Sequence, residues 1–509
     1  MNIDKIINDI YDLGKNKLFP ITRSITGQGV RNTLGIIKKY IPGLKIYNVK
    51  SGTKVFDWKV PPEWNIKNAY ILDKFGKKII DFKNHNLHIA GYSVPTKTVI
   101  RKDELLKKIN SLPLLPDAIP YVISYYKKYW GFSSTHKQKI DIIKKYKKDD
   151  KFKVVIDSSL DKNGSLTYGE FIIPGKSKKE IFISTYVCHP SMANNELSGP
   201  MVSSALIKYF SKKKIPMTLR FAFVTETIGA ITYLSKRLDK LKKNVVAGYV
   251  LTCIGDDRNY SYLYSKHKNS PSDTAAVEAF KKLKIKFKKY YFNERGSDER
   301  QYNSPGIDLG LGSICRSKHS NFKEYHTSLD DFTLVTKTGL KGGFNVAKKT
   351  IEILFKKEFP KNLTLCEPQM GRRNLYPMIS GYASEGKDHL ETKGFMDFLQ
   401  YADGKTDLLE ISKLINLSLK KTKFFKLTDI QKFDARVRIV HVLPSSAVSV
   451  QTGTQHPGKT IIRPVPVRSP TRAVHHLAQT SNMFGTTTQT LNHRKPINPQ
   501  TINHIILSG

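Results

Sequence analysis

Four cysteines in 509 residues, Cys188, Cys253, Cys315 and Cys366, stand far apart and in no paired spacing. A disulfide framework is therefore not expected, and a reduced, cytoplasmic chain is. Long apolar runs are missing too. No stretch reaches the ~20 residues that cross a bilayer. The N-terminus, MNIDKIINDIYDLGK, interleaves charge with isoleucine where a signal peptide would carry an unbroken apolar core. Acids are scarce against bases: 43 Asp and Glu face 85 Lys and Arg, a formal charge of +42. That balance invites a nucleic-acid reading. However, no arginine-rich or aromatic-interleaved RNA motif accompanies the charge. The lysines spread along much of the chain beside abundant Ile, Asn and Tyr, as AT-rich coding produces on solvated faces. Nucleic acid is not the expected partner.

What is present suits a globular chain of two to four domains, with 39% apolar and 10% aromatic residues. Residues 1–50 open with a helix carrying Ile3, Ile6, Ile7, Ile10 and Leu13. LFPITRSITGQGV then leads into a second helix, Val30 to Tyr40, with Ser24 or Thr26 as its cap. Residues 51–149 read as a small β module: VFDWKVPPEW, NAYILDKFGKKIIDF and NLHIAGYSV are short strands between turn signals. A proline- and aromatic-rich run, SLPLLPDAIPYVISYYKKYWGF, follows them. KVVIDSS and YGEFIIP look like a hairpin. From there to residue 360, strands at Ile181–Val187, Thr218–Val224, Val245–Ile254 and Gly310–Ile314 alternate with helices. This predicts a mostly parallel sheet covered on both faces, an α/β domain formed by 1–50 and 150–360. Residues 361–433 hold the linker CEPQMGRRNLYP and short helices spaced like the helical part of a winged helix. Beyond Phe433 lysine and acid nearly vanish, and 434–509 is expected to be disordered or foreign to the fold.

Four polar clusters fall at strand ends or in the loops just after them. CHPSMANNELSG holds His189, Asn194, Asn195 and Glu196; VTETIGA holds Glu226; ERGSDERQY holds Asp298; EYHTSLDDF holds Glu324, His326, Asp330 and Asp331. Open α/β sheets bind ligands at the carboxyl ends of their strands. Two separated histidines, a lone glutamate and further acids are the set a hydrolytic zinc site needs: neutral imidazoles bind the ion, and an unliganded glutamate takes a proton from its water. Taken singly, each has a plainer reading. His189 could be a satisfied core histidine, Glu226 an acid favoured by a helix N-terminus, and Asp330 and Asp331 a solvated turn.

The order His189, NNELSG, Glu226 before a glycine helix start, GSD at 296–298 and YHTSLDD resembles the zinc aminopeptidases of the phosphorylase/hydrolase-like fold. RSITGQGV, SGTKVFDWKVP, STYVCHPSMANNELSGP, RGSDERQY and CEPQMGRR extend the likeness across 1–430. They point to a bacterial aminopeptidase-like family found with polysaccharide-biosynthesis genes, an exopeptidase domain with an inserted small β domain and a C-terminal winged helix. The resemblance implies metal ligands His189 and His326, with Glu196 supplying a carboxylate, and Glu226 as general base. Asn195, Asp298 and Asp330 would serve substrate or support the ligands. The family's bridging aspartate aligns with Asn195, its second glutamate with Thr227, and its third-strand aspartate near Thr252. Two dications in contact need carboxylates between them, so one zinc per chain is expected. The implied activity is amide hydrolysis on a small peptide or an amide-bearing sugar precursor, in a chain that could form a homo-oligomer. The alternatives are a metal-free, inactive scaffold and a winged-helix binding or regulatory protein.

Overall fold

The computed structural model describes residues 2–371, 387–423 and 425. An eight-stranded sheet lies at its centre, in the order Lys45–Lys50, Ser165–Ile173, Met217–Val224, Ser177–Tyr186, Val245–Leu251, Leu311–Cys315, Ser261–Leu263 and Lys288–Tyr290. The four strands from Met217–Val224 to Leu311–Cys315 are mutually parallel. Every residue of Met217–Val224 and of Val245–Leu251 is buried, which is why these runs show no polar alternation: both faces are covered. Helices Ile3–Leu13, Gln28–Tyr40, Ser198–Phe210, Pro271–Lys282 and Lys337–Leu354 build the core on one face. Helix Ile228–Asn244 and parts of the small β module fill the other. The architecture is the α/β class expected. Among the described residues no helix is long and apolar enough to cross a membrane.

Because the middle strands share a direction, Cys188–His189, Thr225–Glu226, Thr252–Cys253 and Arg316–Ser317 leave the sheet side by side. Gly199 is required where helix Ser198–Phe210 begins: a Cβ there would collide with the Leu251 carbonyl and the Thr185 hydroxyl.

A second sheet is antiparallel, in the order Lys78–Asp81, Glu63–Leu72, Lys151–Asp161 and Thr96–Arg101. Two sequence expectations fail here. KVVIDSS and YGEFIIP do not form a hairpin. Lys151–Asp161 pairs with Glu63–Leu72 and Thr96–Arg101, whereas Ser165–Ile173 crosses into the large sheet between Lys45–Lys50 and Met217–Val224. Both strands are adjacent in sequence and apolar, but Phe152, Val154 and Ile156 pack under the small sheet, and only long-range packing decides that. NLHIAGYSV is a 3-10 turn, Asn86–His88, followed by isolated bridges at Ile89 and Gly91. Its backbone is taken instead by the proline-rich run, through Ala90 N–H to the Gly131 carbonyl and Gly91 N–H to the Val122 carbonyl.

Helix His136–Lys145 of this module starts on a reciprocal cap. The Thr135 hydroxyl accepts from Gln138 N–H at 3.1 Å, and the Gln138 side chain accepts from Thr135 N–H at 3.0 Å. Thr135→Ala should cost about 1 kcal/mol in urea unfolding; an unchanged midpoint would mean that packing alone holds the helix.

At the C-terminal end, helices Lys387–Tyr401 and Leu408–Leu414 gather Phe395, Phe398, Leu399, Leu408 and Ile411 around Met370 and Phe425. Lys357 pairs with Asp407 at 2.6 Å, joining them to the end of Lys337–Leu354. Part of the linker and the tail read from sequence at 434–509 lie outside the described residues.

Candidate functional site

The Ser177–Tyr186 strand carries the chain through Val187, whose N–H bonds the Val224 carbonyl at 2.8 Å, to a fully buried Cys188 and then His189, 3% exposed. His189 Nδ1 meets Glu196 Oε2 at 2.6 Å. Glu196 stands on a single π-helical turn, Ala193–Leu197, a geometry that recurs at functional sites. Asp330 holds that turn from outside. Its carboxylate accepts Asn194 N–H at 2.6 Å and Asn195 N–H at 2.9 Å, and its carbonyl accepts Ala193 N–H at 2.8 Å. Burial still pushes the Asp330 carboxyl up to about 7 against those bonds.

Glu226 follows the neighbouring strand. Its Oε2 lies 3.5 Å from His189 Nε2, and its Oε1 accepts the Ser297 hydroxyl at 3.1 Å. Unlike Glu196, whose side chain is wholly buried, Glu226 keeps 19% of its side-chain surface exposed, so it faces the cleft. Burial raises its carboxyl above the usual range, although the charges of His189 and Arg300 oppose that. The next residue, Thr227, adopts φ 61°, a costly conformation for a β-branched residue. It is held there by Asp298, which accepts Thr227 N–H at 2.8 Å, and by Arg300, which donates to its hydroxyl at 2.7 Å. Asp298 is fully buried and pushed well above the usual carboxyl range by that burial and then by the Glu226 charge.

His326 supplies the opposite wall. It too has positive φ, 57°, and stacks on Tyr325 with centroids 3.9 Å apart. Its ring centre is 5.4 Å from that of His189. Burial, then the neighbouring His189 and His319, push it well below the usual histidine range, so the imidazole is neutral. Ser191 and Cys253 add two further left-handed residues around the same strand ends; such backbone strain concentrates at functional sites. The proline-rich run closes the site. Tyr121 N–H bonds the His326 carbonyl at 2.8 Å, Ser328 N–H bonds the Ile119 carbonyl at 2.9 Å, and the Tyr121 ring stands edge-on to both imidazoles, 5.0 and 5.3 Å away.

The structure thus brings His189, Glu196, Glu226 and His326 into one cluster, with Asn195, Asp298 and Asp330 bracing it. Asp298 holds the Thr227 backbone. One detail differs from expectation. Glu196 reaches the Nδ1 side of His189, away from Glu226. Cys188, His189 and Glu196 do offer ligand atoms within 4.8 Å of one another. However, the 2.6 Å separation of Nδ1 and Oε2 is a hydrogen bond, shorter than the ~3 Å between two ligand atoms of a tetrahedral zinc. A carboxylate on Nδ1 is the usual way to fix an imidazole so that Nε2 can bind a metal. Buried atoms without a hydrogen-bond partner among the described residues include His326 Nε2, His319 Nε2, Asn195 Oδ1 and Asp298 Oδ2. That donor set, nitrogen with oxygen, suits a zinc-class ion. Arg23, Tyr121, Ser297, Arg300 and His319 were missed from sequence. Arg23 in RSITGQGV and Ser297 and Arg300 in RGSDERQY stood in distinctive motifs, but the Arg23 contact spans 166 residues.

Residues 11–357 match a family model described as a domain of unknown function, DUF4910, and residues 358–430 match a winged helix-turn-helix model. A Clostridium acetobutylicum protein, whose name joins polysaccharide biosynthesis to an aminopeptidase-like domain, is 43% identical over 418 residues, 82% of this chain and 93% of its own. A crystal structure described as a peptidase from the same organism is 40% identical with a TM-score of 0.67, covering 86% of this chain and 98% of that one. A zinc aminopeptidase from Bacillus subtilis aligns with a TM-score of 0.52 at 12% identity, covering 68% of this chain and 94% of its own, which is a likeness of fold. The chain therefore belongs to the DUF4910 family, with an aminopeptidase-like α/β domain followed by a winged helix-turn-helix.

Proposed function

We propose that the protein is a zinc-dependent, aminopeptidase-like amide hydrolase using one ion per chain. The observation that carries this reading is Glu226, open to the cleft and 3.5 Å from His189 Nε2. His189 and His326 would hold the ion through Nε2, with Asn195 Oδ1 as a neutral oxygen donor. Glu196 is better suited to fixing the His189 ring than to ligation. A bound zinc ion supplies Lewis acidity toward the amide carbonyl. Glu226 accepts the proton of the attacking water and returns it to the departing amine. The Ser297 hydroxyl aims that carboxylate, and Tyr121 limits the space beside both imidazoles. A peptide is the substrate class that the relative described as a peptidase supports; an amide on a sugar precursor is our extension of that reading.

A second reading is a metal-free binding scaffold. It is favoured by Asn195, Thr227 and Thr252 standing where the resembled family has carboxylates. Elemental analysis of the purified full chain separates the two. Close to one zinc per chain supports the hydrolase, two would refute the single-ion centre, and none would favour the scaffold. Asn195→Asp should tighten zinc at least tenfold, because an anion replaces a neutral donor beside a dication in a poorly solvated site. Competition against a chromophoric chelator measures it, and an unchanged affinity would remove Asn195 from the ligand set.

A further inference from the structure

Arg23 lies in the loop between the first two helices, 166 residues before the histidine it touches. It is among the largest fully buried side chains of the protein. Its Nε donates to the His189 carbonyl at 2.8 Å, and its Nη1 donates to the Leu18 carbonyl at 2.6 Å. The same Nε lies 3.8 Å from Glu196 Oε1, which has no hydrogen-bond partner among the described residues. The other oxygen of that carboxylate is bonded to His189 Nδ1. One guanidinium therefore grips His189 twice, directly at the backbone and through Glu196 at the ring. Its loop is stitched to the same segment by the Ser191 hydroxyl, which donates to the Phe19 carbonyl at 3.1 Å.

We infer that Arg23 is a positioning residue: bonded to the His189 carbonyl and standing against the Glu196 carboxylate, it keeps that carboxylate on His189 Nδ1 and so keeps Nε2 turned toward the cleft. A buried carboxylate that loses its neighbouring cation turns away toward another donor. The imidazole could then change tautomer and offer a protonated Nε2, which cannot bind a metal. Lysine would restore charge but not the planar fork that reaches the carbonyls and the carboxylate together. The motif RSITGQGV, unexplained by the catalytic roles, gains a purpose in this way.

The inference rests on His189 being a ligand, and the test keeps the two apart. Zinc alone is the probe, titrated into the full chain against a chromophoric chelator. Arg23→Met should weaken zinc by about 10–100-fold, the range for a lost ligand-orienting partner, and Arg23→Lys should fall between. In a Glu196→Gln background, Arg23→Met should weaken zinc by well under tenfold, since the carboxylate it holds is already gone and only its bond to the His189 carbonyl is lost. Should Arg23→Met fail to fold, the double variant still decides, because it removes both buried charges together. If that double variant binds tenfold worse than Glu196→Gln alone, Arg23 does not act through Glu196 and the inference falls. Nitrogen-15 shifts of the His189 ring give a metal-free readout. The Nδ1–H tautomer should dominate in the parent chain and be lost in Arg23→Met, and an unchanged tautomer overturns the inference. A parent chain that binds no zinc but keeps that tautomer overturns the metal reading and leaves the Arg23 assignment standing.

Discussion

Glu226→Gln should lower turnover about 100-fold or more while zinc content and melting behaviour stay as in the parent chain. The substitution keeps the shape of the side chain and its capacity to accept the Ser297 hydroxyl, which lies 3.1 Å from Oε1. Only the proton-accepting charge is lost. Folding should be indifferent, because Glu226 faces the cleft with 19% of its side chain exposed and its backbone N–H still bonds Cys188 Sγ at 3.2 Å. Removing the Glu226 charge, which faces the buried Asp298 carboxyl, should even relieve some repulsion. A panel of aminoacyl-arylamides and aminoacylated sugar precursors supplies the assay. Loss of zinc together with activity would make Glu226 a ligand instead. Full activity with zinc retained would move the base elsewhere and end the mechanistic analogy.

Arg220→Met should destabilise the fold by about 3–5 kcal/mol at neutral pH, the range for breaking a buried ion pair. Arg220 is 1% exposed on the Met217–Val224 strand. It holds Glu170 on one neighbouring strand at 2.5 Å and Glu180 on the other at 2.5 and 2.9 Å. Tyr233 also donates to Glu170, at 2.7 Å. Methionine fills the space but leaves two carboxylates facing each other across the centre of the sheet. The pH dependence distinguishes this from a packing defect. In the parent chain burial would raise the Glu170 carboxyl, but the Tyr233 hydroxyl and the Arg220 charge outweigh it and hold the group below the usual range. A carboxyl lowered by folding stabilises above its unfolded pKa, and that contribution disappears as pH falls through its folded value. The parent should therefore weaken on acidification. In the variant the burial of Glu170 is no longer opposed by the Arg220 charge, so folding raises that carboxyl; the penalty is present at neutral pH and is relieved as protonation neutralises it. Stability of Arg220→Met should rise on mild acidification before general acid unfolding sets in. Parallel pH profiles for the two proteins in chemical denaturation would show the defect to be one of packing.

Much of the large sheet was legible because each middle strand is a continuous apolar run and each helix between them has a clear period. Parallel strands then force His189 and Glu226 to one edge, with Tyr186 and Val224 in register just before them. The small module was legible in kind but not in pairing: nothing local tells Lys151–Asp161 to leave its neighbour Ser165–Ile173 for another sheet.

What the sequence by itself determined was the α/β class, the winged helix-turn-helix after it, and which histidines and acids stand at strand ends, since periodicity and spacing are local properties. Tertiary structure alone decided the rest. Glu196 meets Nδ1 rather than the cleft because Asp330, 134 residues away, braces a π-helical turn beneath it. Tyr121 walls the site because its backbone is bonded to that of His326. Arg23 reaches His189 across 166 residues. Contacts of that span follow from how layers pack, and a buried charge or ring has no signature in its own neighbours along the chain.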